Sequence, residues 1–498
     1  MRSTHHERAV QALQLGNWVQ ARAHLNDALL EEPNNLQLVS LLGVVHRREG
    51  AQAAAIACCD HVLVRQPWHQ RALTTRALLH LDADHPTAAL ELLRIAVSRA
   101  PQETALWRNL ALAAMQAHQL GVANQAYQRC LQLEPASIST WSSWGRCLHR
   151  AGNLPAAIQC FERCCLQEPN RPEHHFNLAL SLLQAGAFQR GWQEFHWRLA
   201  CASPRTMLPI SVDTAPKSLR QLWNRRVILV AEQGLGDTIQ FIRYGAMLRP
   251  WVQELVLCVP NKLHELCASI DGWAAVVDSQ QAEAWPRALR VPLLSLPGLL
   301  ELEPKLGDGQ PYLPVDQSRV AHWRQRFLAD HPGELIVGLN WQGNPEAEQA
   351  DGFQGRSLHL EQLAPWAEIT GVRFVALQKG AGQEQLTSCS FRQAFVANQD
   401  KVSSLWDFSE TAAIAQACDL VVSTDTSLAH LSGAIGQRTW LMLQAVPDWR
   451  WGLSGRATAW YNSMELFRQP CPGDWGSVIA EVSGALKQLA SAHKKAGH

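Results

Sequence analysis

Val227-Ile228-Leu229-Val230-Ala231 is a short β-branched run, followed at once by Gln233-Gly234-Leu235-Gly236-Asp237-Thr238 and an amphipathic stretch to about Leu248. A strand, a glycine turn and a helix are the first half of a parallel crossover unit. The alternation continues outward. Leu255–Val259 reads as a strand, Lys262–Ile270 as a helix and Ala275–Asp278 as a third strand. A second series begins with the strand Leu335–Trp341, then a helix over Leu360–Ile369 and a strand over Phe374–Gln378. A helix over Thr411–Ala417, a strand over Leu420–Ser423, a helix from Ser427 to Ala434 and a strand over Thr439–Leu443 close it. Two α/β lobes of unequal size, joined near Pro311–Arg324, leave a cleft. Ligands of such sheets gather beyond the carboxyl ends of the strands.

Upstream the period changes. Pro33, Pro67, Pro101, Pro135 and Pro169 stand 34 residues apart. That spacing resembles the tetratricopeptide repeat, a helix–turn–helix unit. With each proline as position 32, position 20 is Ala21, Ala55, Ala89, Ala123 and Ala157. Position 8, read from the second unit onward, is Gly43, Ala77, Ala111, Gly145 and Ala179. Small residues belong where paired helices approach closely, and proline ends the second helix because it lacks the amide donor. Gly16, Gly50, Gly152 and Gly186 mark the turns. A partial sixth unit, Phe176–Leu199, ends in the aromatic-rich Gly191–Leu199 and reads as a cap that docks the solenoid on the α/β half. Trp107, Trp141 and Trp144 read as core rather than ligand platforms. The repeats offer a concave surface for an extended protein segment, or serve as a spacer or dimerisation scaffold; the groove-facing residues show no charge clamp. Ser203, Pro204, Pro209 and Pro216 interrupt any helix between the halves.

Composition narrows the class. The 498 residues exceed one core, and 47% hydrophobic with 18% charged residues excludes a largely disordered chain. The 44 basic residues balance 44 acidic ones, leaving no net field for nucleic acid or an anionic membrane. No apolar run reaches the roughly 18–20 residues a bilayer span needs. Met1–Arg8 leads into amphipathic sequence rather than an apolar signal core, so a cytoplasmic, soluble protein is expected. The 13 cysteines lack zinc spacing and read as reduced, packed thiols.

Several loops carry chemistry. Gly234 and Gly236 allow close backbone approach before a helix N-terminus, which favours an anion. Ile239 stands where a dinucleotide fingerprint needs its third glycine, and no Gly-Lys-Ser/Thr is present in this loop. Asp237 is either a helix cap or a general base facing the cleft. Asp425, Thr426, Ser427 and His430 come after a strand; the Thr424, Thr426 and Ser427 hydroxyls with helix-start amides form a pyrophosphate cradle, His430 being structural or functional. Asn340 and Gln342 lie in another post-strand loop. Arg356 and Lys379 are either diphosphate partners or surface cations. Asp448-Trp449-Arg450-Trp451 either stacks on a sugar or base or packs the lobes together.

The order of Gly234–Asp237, Asn340–Pro345, Gln378-Lys379-Gly380, Asp425–His430 and Asp448–Trp451 resembles bacterial proteins that fuse tetratricopeptide repeats to a glycosyltransferase family 9 (heptosyltransferase-like) domain. It covers nearly all of the chain from Val227. The resemblance implies a GT-B fold of two Rossmann-like lobes behind the α-solenoid. Residues 1–200 would be repeats, 201–222 linker, 223–320 the acceptor lobe and 321–498 the nucleotide-sugar lobe. It implies a metal-independent glycosyltransferase without cofactor, the nucleotide-sugar being a co-substrate. Asp237 would be the base, Asp425, Thr426 and His430 the donor contacts, and Arg356 the basic residue where heptosyltransferases carry lysine. Ser427 replaces that family's glycine. The acceptor is expected to be a protein or peptide held by the repeats. The alternative is a non-catalytic interaction scaffold with a degenerate GT-B half. A metal hydrolase is disfavoured, since no HExxH occurs.

Overall fold

The computed structural model describes residues 4–201, 206–346, 348 and 355–496. Met1–Ser3, and Ser203 and Pro204 of the expected linker, lie outside the described residues. The chain divides into two compact units, Met1–Pro169 and Asn170–His498.

In the first unit helices pair in sequence, from Thr4–Gln14 with Trp18–Glu31 to Ile138–Arg150 with Leu154–Gln167. The small-residue columns explain the pairing. Ala21, Ala55, Ala89, Ala123 and Ala157 are fully buried, and so is Ala9, one period before Gly43. A Cβ at Gly145 would lie 2.7 Å from the Phe161 ring. Trp107 and Trp141 are only half-buried. Each donates its indole N–H to the carbonyl of the proline that closes the preceding helix, Pro101 at 2.9 Å and Pro135 at 3.0 Å. The turns share one backbone state: φ is +71° at Gly16, +78° at Gly50 and +73° at Gly152. Asp84 and His118 occupy the same column with φ of 57° and 55°, a region where a Cβ is costly.

The second unit opens with helices Pro172–Gln184 and Phe188–Phe195 and a 3-10 turn, His196–Ala200. The partial sixth repeat therefore folds with the α/β half, and the units part at Pro169 rather than at residue 200. Its Leu183, Trp192 and Phe195 join the hydrophobic core of that half, and a buried ion pair adds to the junction. Arg198 Nε and Nη2 donate to the two carboxylate oxygens of Glu232 at 2.9 and 2.6 Å, with both side chains 5% exposed or less. The Leu294 amide adds 3.0 Å to Glu232, and Arg198 also reaches Ser295 Oγ and the Phe195 carbonyl. The segment after residue 205 is not loose either: Met207 donates to the Ala231 carbonyl, and Leu208, Ile210 and Ala215 pack under Ile228 and Val230.

Among the described residues nine strands complete the α/β half: β1 Arg226–Val230, β2 Glu254–Cys258, β3 Ala275–Val277, β4 Leu289–Pro292, β5 Leu335–Asn340, β6 Val372–Ala376, β7 Leu420–Thr424, β8 Thr439–Leu443 and β9 Met464–Arg468. They form two wholly parallel sheets, ordered β3-β2-β1-β4 and β6-β5-β7-β8-β9. Every residue of β5, β7 and β8 is buried, the pattern of sheets covered on both faces. Sequence periodicity misses β4 and β9, and the closing helix Trp475–Ala496 as well. The single helix expected to Leu248 breaks into Leu235–Phe241, Ile242–Tyr244 and Gly245–Leu248. Among the described residues no helix is long and apolar enough to cross a membrane, and the cysteines form no disulfide.

The turn column yields a test. His118→Gly should raise the stability of the full chain by about 0.5–1 kcal/mol, relief of left-handed strain exceeding the added chain entropy. Gly50→Ala should lower it by a similar amount. Urea denaturation monitored by circular dichroism reads both.

Candidate functional site

Both sheets reverse strand order at one point, between β1 and β4 and between β5 and β7. The helix after β1, Leu235–Phe241, lies against the helix after β7, Ser427–Ala434. Gly236 makes that approach: a Cβ there would fall 2.7 Å from His430 Cδ2 and 3.3 Å from the Ser427 Cα. Asp237 and His430 thus share one interface.

Asp237 fills one of the two roles its sequence position allows, that of helix cap. Its Oδ2 accepts the Gly234 amide at 2.9 Å, which caps the helix. Its Oδ1 accepts from Arg450 Nη2. Burial pushes its pKa up, opposed by Arg450 and by the capping amide. Arg450 also donates to Asp448 Oδ1 at 2.9 Å and to Gln240 Oε1, and lies 4.5 Å from the centre of the Trp449 ring. Asp237 and Gln240, three residues apart on one helix face, both reach it. The Asp448–Trp451 run accordingly packs the halves together. Trp449 contacts Trp192 and Trp460, and Trp451 stacks on His430 at 5.4 Å. The sixth-repeat hairpin supports that run, since Gln184 Nε2 donates to the Pro447 carbonyl at 2.9 Å.

His430 is buried, with Nδ1 2.9 Å from the Tyr461 hydroxyl. Burial, then Arg450, Arg243 and Arg356, hold its pKa well below the usual value, so the ring stays neutral. Asp425 is pushed up to about 6, by burial and then by Asp448, against the pull of Arg356. Arg356 lies over Gly343, where a Cβ would come within 3.2 Å of its Nη2, and faces Glu348 at 3.2 Å.

The strand ends behind this cluster are latched. Gln378 Oε1 accepts from Asn340 Nδ2 at 2.9 Å and from the amides of Trp341 and Gln342. Asn340 Oδ1 accepts the Thr426 hydroxyl proton at 2.9 Å. This changes the cradle reading, because that proton is no longer available to an anion. The Gln342 side chain is held by Gln385 at 2.8 Å. Lys379 is not brought into the cluster: its ammonium donates to the Val402 carbonyl, and burial lowers its pKa to about 8. Gly234 is exposed, after Gln233 with φ of 59°. Arg450 was named by sequence only as part of the aromatic, charged run Asp448–Trp451, and Gln240 and Tyr461 were not singled out.

Elsewhere, donor atoms of His5, His24 and Asp27, on the first helix pair, lie within 4.8 Å of one another, a set that could hold a metal ion. The repeat unit carries a groove of about 630 Å³ lined by Arg47, Arg48, His69, Arg71 and Asn109 among others. No carboxylate is among its lining residues, so the groove does have a basic character. Asp82 answers Arg47 at 2.7 Å, whereas Arg71 donates only to the neutral Gln37 and Ser40 side chains among the described residues.

Asp425 sets a pH test. An unfolded aspartate titrates near about 3.9; folded, Asp425 titrates near 6. The folded state holds more protons between those values, so this contribution to stability is present below pH 4 and lost as pH rises through 6. Asp425→Asn should therefore be more stable than the parent at pH 8, by on the order of 2 kcal/mol, with the difference gone at pH 4. His430 acts in the opposite sense, its contribution being lost as pH falls below about 6.5, and cancels in the comparison. Urea melts at both pH values read the difference.

A family model for the tetratricopeptide repeat matches residues 6–67 and 74–138. The chain is similar to Protein FlbA of Caulobacter vibrioides, 26% identical over 356 residues, 65% of this chain and 57% of that protein. It thus spans a little over half the length of that curated relative. Among solved structures it is similar to MamA 41-end from Desulfovibrio magneticus RS-1 (21% identity, TM-score 0.31, 34% of this chain and 99% of the other). It is also similar to Pseudomonas aeruginosa pilF (18%, TM-score 0.36, 40% and 90%). The chain carries tetratricopeptide repeats in its N-terminal region and parallel α/β sheets in its C-terminal region.

Proposed function

We propose that the α/β half is a metal-independent GT-B glycosyltransferase of family 9 type, moving a sugar from a nucleotide-sugar to an acceptor hydroxyl. In this reading the β1–β4 half receives the acceptor and the β5–β9 half the donor. Asp237 takes the hydroxyl proton as the oxygen attacks the anomeric carbon. The bond from that carbon to the diphosphate breaks, and the nucleoside diphosphate leaves with the electron pair. Arg356, Arg450 and the amides at the start of Ser427–Ala434 offset the charge that develops. One observation carries the reading: Gly236 seats against His430, so the carboxylate of one switch point lies at the other.

The repeats support a protein partner, and the basic groove favours an acidic, extended segment as the docked acceptor. The competing scaffold reading has its own support in Asp237 being engaged by Arg450, and Thr426 by Asn340.

Asp237→Asn should lower sugar transfer by about 10²–10⁴-fold without weakening donor binding. Turnover equal to the parent's would remove Asp237 from the mechanism, and donor binding without turnover in the parent would favour the scaffold. Arg71→Ala should weaken capture of an acidic peptide by about ten-fold in fluorescence anisotropy while leaving a neutral peptide unaffected. Equal effects on both peptides would rule out recognition by charge.

A further inference from the structure

We propose that Arg450 is handed from Asp237 to the donor's diphosphate, so that donor arrival itself frees the base. The inference rests on the transferase reading above and goes beyond it by assigning a residue that holds the base inactive at rest.

Four features carry it. The Arg450 guanidinium is held by Asp237, Asp448 and Gln240, so it joins the β1 helix to the loop after β8. Its backbone is fixed independently, because the Trp460 indole donates to the Arg450 carbonyl at 2.7 Å. The side chain can therefore swing from an anchored root. Next, the resting cluster holds more carboxylates than guanidiniums: Asp237, Asp425 and Asp448 around Arg450, with Glu348 on Arg356. A diphosphate adds further negative charge in a place where water is scarce. It enters only by drawing a guanidinium to itself, and a planar fork suits phosphate oxygens as well as a carboxylate. Last, a carboxylate paired with arginine is a weak base, and the same carboxylate, buried and unpaired, is a stronger one. Handover thus raises the proton affinity of Asp237 when the leaving group is in place, and donor binding precedes proton removal.

Titration calorimetry of UDP, ADP and GDP against the full chain tests this in the parent, Asp237→Asn, Arg450→Met and the double variant. The nucleoside diphosphate that binds the parent is expected to bind Asp237→Asn at least five-fold more tightly, since Arg450 is already released, and Arg450→Met at least ten-fold more weakly. The five-fold gain should vanish in the Arg450→Met background. A gain that persists there reports only the lost negative charge and overturns the handover while leaving the donor reading intact. An unchanged or weakened Asp237→Asn overturns it equally. Absence of binding by all three nucleotides in both parent and Asp237→Asn overturns the donor reading and the handover with it. Arg450→Lys serves if Arg450→Met does not fold. Its ammonium lacks the fork, so the Asp237→Asn gain should fall below two-fold in that background, and a full gain refutes the proposal.

Discussion

At Gly236 two helices from different sheets come so close that a single added carbon would overlap an imidazole ring. Everything at the interface depends on that approach. It lets Asp237 and Gln240 reach the loop after β8, and it sets His430 between Trp451 and Tyr461. A larger residue would push the helices apart by a few tenths of an ångström at least. Charge pairs in this cluster depend on contact distances, so that shift would loosen them all together.

The electrostatics of the cluster are a contest between desolvation and pairing. Burial raises Asp237 and Asp425 and lowers His430, while Arg450 pulls both carboxyls the other way and Arg356 pulls Asp425. Such clusters add little to stability when complete, and removing an arginine that compensates the carboxylates costs several kcal/mol. They are more readily understood as devices for specificity or chemistry than as glue. Groups whose protonation is poised by opposing influences are frequent at functional sites, though structural networks share the property.

Much of the fold was legible because its determinants are local and periodic. The alanine columns, the prolines every 34 residues and the β-branched runs each record a constraint felt within one or two turns of chain. The left-handed turn column was legible where it held glycine, and hidden where Asp84 and His118 stand in it. β4 was missed because Leu289-Arg290-Val291-Pro292 is short, carries a charge and ends in proline, which an edge strand tolerates. β9, Met464-Glu465-Leu466-Phe467-Arg468 at the other sheet's edge, is broken by two charged residues and does not alternate strictly. The site was only partly legible for a different reason. Asp237 and Arg450 are 213 residues apart, and no spacing rule links them. The basic groove was unread because Arg47 and Arg48 end one helix and Arg71 begins another, and they meet only after stacking.

Arg198 and Glu232 give the molecule a grain along which it can be cut. The guanidinium belongs by sequence to the last helical hairpin, yet it neutralises a carboxylate at the end of β1. Whole repeats upstream of Pro169 can be duplicated or deleted in the gene without disturbing that charge. Excision at the apparent end of the repeats, near residue 200, strands Glu232 in an apolar interior. The natural module is therefore the α/β half together with its borrowed hairpin, and any recombinant fragment or evolutionary fusion that keeps the larger half intact must begin near Asn170.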